Sequence, residues 1–188
     1  MSIRPSANNL RKLILAFLAL VFVSYSPDAA AQDVANGLAT ATCLASLSVT
    51  ATQALQFGNV FQGVAKTQGK TDNVNSGIFT ITGAASAGIS IYISLPAFLA
   101  LTPGGADRMI IAFSPTDANV DTTVVTPATF GAGDGWIDQN PYSLPAATVV
   151  GAGGSTCIYL GGKVLPSVNQ TAGSYAGDII CSVAYTGT

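Results

Sequence analysis

The chain has 188 residues, with seven Lys and Arg, nine acidic residues that are all Asp, and no His. Only 9% of it is charged and 49% is hydrophobic, the reverse of the composition that keeps a chain disordered. Its cations are too few and scattered for a nucleic-acid footprint, and the lack of His removes Ser-His-Asp sets, Cys-His sets and ordinary zinc sites.

Arg4, Arg11 and Lys12 precede an apolar run from Leu13 to Tyr25, and Ala29-Ala30-Ala31 follows. A positive end, a short apolar middle and an Ala-x-Ala close predict a secretory signal peptide over 1–31, cut before Gln32. Thirteen apolar residues fall short of the about 20 that span a bilayer, so no membrane insertion is expected after cleavage. The remaining segment, 32–188, is sized for a single domain. It keeps Lys66, Lys70, Arg108 and Lys163 against eight Asp, a net charge near −4. The predicted location is the periplasm or outer surface of a bacterium.

Residues 32–42 read as an N-terminal extension. Ala39 to Thr50 alternates small apolar with polar residues, a period of two that predicts a long first strand. Leu55 to Val60 predicts a short strand ended by Gly58-Asn59, and the polar run 66–76 a loop. Ile78 to Thr82 and Ile89 to Leu95 predict two strands around a turn of small residues, and Met109 to Phe113 predicts another. Asp117 to Asp121 reads as a turn. Val124-Val125 reads as a short strand, and 130–145 as an irregular excursion around Trp136 and Tyr142. Thr148 to Gly151 and Thr156 to Leu165 read as strands. In the last segment Tyr175, Gly177, Ile179, Cys181, Val183 and Tyr185 alternate with polar or small residues, apart from Ile180. That pattern predicts a strand with one face on a core. No apolar stripe has helical spacing, so the predicted class is all-β, an antiparallel β-sandwich.

Three cysteines remain, Cys43, Cys157 and Cys181. A hairpin of 156–165 with 173–186 that pairs Val164 with Ser174 sets Cys157 against Cys181, the disulfide candidate. A bond from Cys43 to either, or three free thiols, stays open. No catalytic residue, metal site or cofactor is expected. The aspartates other than Asp178 sit in turn-like surroundings, where Asp bonds its own backbone. Asp117-Ala118-Asn119-Val120-Asp121 spaces oxygens as calcium loops do but lacks their Gly and distal Glu. Trp136, Tyr142, Asp134 and Asp138 form the one candidate ligand loop, with an aromatic and two acids suited to a sugar ring.

Four stretches in order carry a resemblance to a known family. They are Ala39 through Gly58, Gly77-Ile78-Phe79-Thr80-Ile81-Thr82-Gly83, Ile89 through Pro96, and Gly161-Gly162 through Tyr185. The chain resembles the bacterial secreted domain of unknown function 4402, which is similar to spore-coat-protein-U-like and other chaperone–usher pilin subunits. The resemblance implies an immunoglobulin-like, pilin-like sandwich. It implies a non-enzymatic surface or coat subunit that associates by β-strand addition with copies of itself or a periplasmic chaperone. Gly173, Tyr175, Tyr185 and Leu38 are then the subunit-interface candidates. The rival expectation is an adhesive, glycan- or surface-binding module built on the Trp136 loop.

Overall fold

Alternation of inward apolar and outward polar side chains writes most of the strands. The computed structural model describes residues 8, 11, 12, 14–16 and 35–187. The predicted cleavage point before Gln32 lies outside them. The chain divides into two units, Met1–Ala41 and Thr42–Thr188. In the first, the described residues up to 16 are helical, and 35–41 are exposed with no regular structure. Among the described residues no helix is long and apolar enough to cross a membrane.

The second unit holds twelve strands: β1 Ser48–Gln53, β2 Lys66–Gln68, β3 Gly77–Thr82, β4 Ile89–Ser94, β5 Phe98–Thr102, β6 Arg108–Ala112, β7 Ala118–Asp121, β8 Gly135–Gln139, β9 Ser155–Leu160, β10 Gly162–Leu165, β11 Ser174–Ala176 and β12 Ile180–Tyr185. They form two five-stranded sheets, β1-β3-β9-β7-β8 and β11-β5-β6-β10-β2, and a two-stranded sheet of β12 with β4. All pairings are antiparallel. Segment 174–185 therefore runs against 89–102, first along β5 and then along β4.

Two apolar clusters make a sandwich-like core. Phe79 and Ile81 of β3 and Ile158 of β9 meet Ile89 and Ile93 of β4. Met109 and Ile111 of β6 and Val164 of β10 meet Ala118 of β7 and Leu160 of β9. Each cluster joins side chains from different sheets, and burying one Leu or Ile is worth about 1.5–3 kcal/mol.

The alternation in 77–82, 89–94 and 108–112 gave strands where expected. The long first strand is corrected: 37–47 carry no regular structure and the strand begins at Ser48. Residues 55–60 are not a strand, and neither is 124–125. Asp117 to Asp121, read as a turn, contains β7, all four of whose residues are buried. Polar side chains are stable there because neighbouring groups bond them. Asp121 Oδ1 accepts from Thr123 N at 2.7 Å and Val124 N at 2.9 Å, and Oδ2 from Val125 N at 2.7 Å and Tyr159 Oη at 2.8 Å. This grip holds Val124 at φ 60, a conformation β-branched residues rarely adopt. Asn119 Oδ1 fills the β7–β8 bulge by accepting from Asp138 N at 3.0 Å. Gly135, at φ 157, starts β8 where an added Cβ would lie 2.0 Å from Val120 O, so only glycine fits.

The disulfide expectation is also corrected. All three thiols are free. The hairpin it required does not form: β9 lies between β3 and β7, with Cys157 opposite Thr80 and Asp121, while Cys181 of β12 lies opposite Ile93.

Candidate functional site: an open groove beside an edge strand

The last segment is less covered than its alternation predicts. Tyr175, Ile179, Cys181, Val183 and Tyr185 point inward, as their alternation predicts, yet each is only half-buried. A strand paired on both sides and covered by a second sheet buries its inward face, as β9 does with five of its six residues. Segment 174–185 is paired on one side only, because β11 ends its sheet and β12 ends its own. On the facing sheet β1 is likewise at the edge. Both rims are edges, and edges present unpaired backbone N–H and C=O groups.

Beside β11 runs a groove of about 610 Å³. One wall is 54–60, the other runs from Gly173 to Ile179, and Leu99, Met109, Ile111 and Val164 form the floor. No charged side chain lines it. Leu55, Phe57 and Val60 on one wall and Tyr175 and Ile179 on the other pack half-buried onto the second core cluster.

Local bonds hold both walls open. Gln56 N donates to Asn75 O at 2.9 Å, Gln53 Nε2 to Ser76 O at 2.8 Å, and Lys66 Nζ to Asn59 O at 3.1 Å. Gly58, at φ 59, makes the bend that ends the wall. Opposite, Tyr175 Oη lies 2.8 Å from both Asp107 Oδ2 and Thr171 O and accepts from Gln170 Nε2 at 2.9 Å. Hydrogen bonds from Thr171 first, and then from Tyr175, hold the Asp107 carboxyl well below its usual range. Gly173, at φ 152, sits where an added Cβ would lie 2.6 Å from Leu101 Cδ1.

The other end is closed. Tyr185 Oη donates to Ala45 O at 2.8 Å and accepts from Ala84 N at 2.7 Å. Of the subunit-interface candidates, Gly173 and Tyr175 line the groove, and Tyr185 is engaged within the sandwich. Leu38 is 91% exposed.

The residues of the candidate ligand loop, on and around β8, each make a contact within the fold. Asp134 Oδ2 accepts from Gly131 N at 2.8 Å and its Oδ1 from Thr123 Oγ1 at 3.1 Å, closing a turn. Asp138 pairs with Lys70. Trp136 lies on β8 across from Val120. Tyr142 sets its ring edge-on to Phe113, with centroids 6.4 Å apart.

Sequence reasoning missed the floor and the near wall as a site. The signal was Leu55, Phe57 and Val60, three large apolar residues on a segment interrupted by Gly58 that reads as a strand but has no partner strand of its own. No family model, no curated protein and no solved structure matches the chain.

Proposed function

We propose that this chain is an exported, non-enzymatic structural subunit of a bacterial surface or periplasm, an immunoglobulin-like sandwich that lacks one strand. An extended segment of another chain lies in the groove and completes it, as in the pilin subunits the sequence resembles. The observation that carries this reading is the uncharged groove between the edge strand β11 and the unpaired segment 54–60, whose inward residues stay half-exposed. Strand addition supplies ladder hydrogen bonds to the open edge of β11, and alternate side chains reach the apolar floor.

Other features support it. Tyr175, near the start of the last strand, bonds the carbonyl of Thr171 four residues upstream, the arrangement of a tyrosine corner in immunoglobulin-like sandwiches. The leader read over 1–31 supports export. The candidate incoming segment is 32–42 of a second copy, which offers Val34 and Leu38 or Ala35, Ala39 and Ala41 to the floor. Alanines bury far less than leucine or isoleucine, so affinity for this segment rests mainly on the backbone ladder.

The test compares the purified 32–188 chain with and without a peptide of residues 32–45. The expected result is saturable binding and an unfolding midpoint that rises with peptide concentration, as mass action requires. A monomer that is fully stable and indifferent to the peptide removes the strand-addition reading.

A further inference from the structure

We propose that Gln170 is a positioning residue for the groove: it ties one wall to the other, so the two keep a fixed separation before any strand enters. The inference rests on the groove as an acceptor of an extended segment and deepens that reading by naming what holds the groove ready.

Gln170 lies in the loop between β10 and β11, where residues 167–169 and 171–174 are all exposed. It is itself only 4% exposed. A glutamine buried within an exposed loop needs partners for its amides, and each polar atom of Gln170 has one. Its backbone N donates to Ser167 O at 3.1 Å, and its Oε1 accepts from Ser167 N at 3.1 Å, which folds the loop onto itself.

The two remaining atoms reach the two walls. Nε2 donates to Tyr175 Oη of the far wall at 2.9 Å, to Asp107 Oδ2 at 3.0 Å and to Arg108 O at 3.2 Å. The backbone O accepts from Nε2 of Gln62, two residues past the end of the near wall at Val60. Beside that bond, Gly63 N donates to Ser167 O at 3.0 Å. Gln62 and Tyr175 are thus each bonded to Gln170 and not to one another. The apolar floor draws the walls together without fixing their spacing, because hydrophobic contact has no direction. Hydrogen bonds do have direction, and these set the width. An incoming segment then meets walls already in place and is spared the cost of ordering them.

The test uses the full chain, purified as it accumulates, with Gln62→Ala, Tyr175→Phe, both together, and each of these again with Gln170→Ala. The first readout is hydrogen exchange at 56–60, at 174–176 and in β9, with no peptide present. Gln62→Ala is expected to speed exchange at 174–176, and Tyr175→Phe at 56–60, each at least about threefold, with β9 unchanged. A residue that merely held its own loop would transmit neither effect. In denaturant the two changes are expected to depart from additivity by at least about threefold in the unfolding constant, and to become additive once Gln170→Ala is present. Should Gln170→Ala fail to fold, the exchange and the cycle with Gln170 in place decide the matter. Exchange effects confined to one wall, or an additive cycle with Gln170 in place, overturn the proposal. Failure of the 32–45 peptide to bind would remove strand addition and leave these peptide-free readouts untouched, so the two failures are told apart.

Discussion

Asp121 ties β7 to the segment that follows it. It is fully buried in β7, and its two oxygens hold the backbone of 123–125 and the hydroxyl of Tyr159. Asp121→Ala removes the acceptor from three backbone donors and from the buried Tyr159 hydroxyl, and a hydrogen bond to a charged group is worth about 1.5–3 kcal/mol. A loss of about 3 kcal/mol or more is expected in urea denaturation, where a change under about 1 kcal/mol would contradict this role. Burial, and then the bond to Asp121, push the Tyr159 hydroxyl far above the ordinary tyrosine range, so it stays protonated as a donor. Asp72 shows the opposite exposure. Backbone N–H of Val74, then the Gln68 side chain, hold its carboxyl at about 2 against an ordinary 3.8. Folded protein binds the proton less readily than unfolded protein, so acid favours unfolding. The stabilisation is complete above about pH 4 and is lost as pH falls through 2. A carbon-13 titration of Asp72 with a midpoint at 3.8 would refute that anchoring of the 72–76 turn. Neither role shows in the sequence, where both aspartates look like ordinary turn residues.

At the scale of elements, position within a sheet separates the thiols. Cys157 lies on β9, paired on both sides, and Cys181 on the edge strand β12. Burial pushes the Cys181 thiol up to about 11 and raises Cys157 as well. Only a thiolate attacks an alkylating reagent readily. One equivalent of iodoacetamide is expected to react quickly at pH 7.5, at exposed Cys43, and the other two thiols only after unfolding. Rapid labelling of Cys181 would show β12 detached from β4. The strands with clean alternation (77–82, 89–94, 108–112 and the inward set of 175–185) were legible because a side-chain period of two is a local property. The pairing of 174–185 with 89–102, rather than with 156–165, was not. Both partners have the right pattern, and the choice depends on which sheet each segment joins. β7 escaped for a related reason: Asn119 and Asp121 look like turn residues until the segment after them folds back to bond them.

Across the whole molecule, the central strand and the groove rims differ in how firmly they are held. β9 is buried and bonded on both sides, whereas β11 and the wall 54–60 border open space. Amides of β9 are expected to exchange with deuterium at least about tenfold more slowly than those of β11, since local opening tracks unpaired edges. Equal rates in both would argue that nothing is missing from the sandwich. Occupancy of the groove by an added strand is expected to slow β11 and 54–60 without changing β9.

Residue pattern alone was enough for the all-β class, the antiparallel strands and the inward face of the last segment, because alternation acts over a few neighbours. The tertiary structure decided that β9 sits between β3 and β7, that the three thiols stand apart, and that an uncharged groove opens between 54–60 and 173–179. Those outcomes join residues as much as a hundred positions apart. They depend on which edges find partners once the sheets pack, and no local period encodes that.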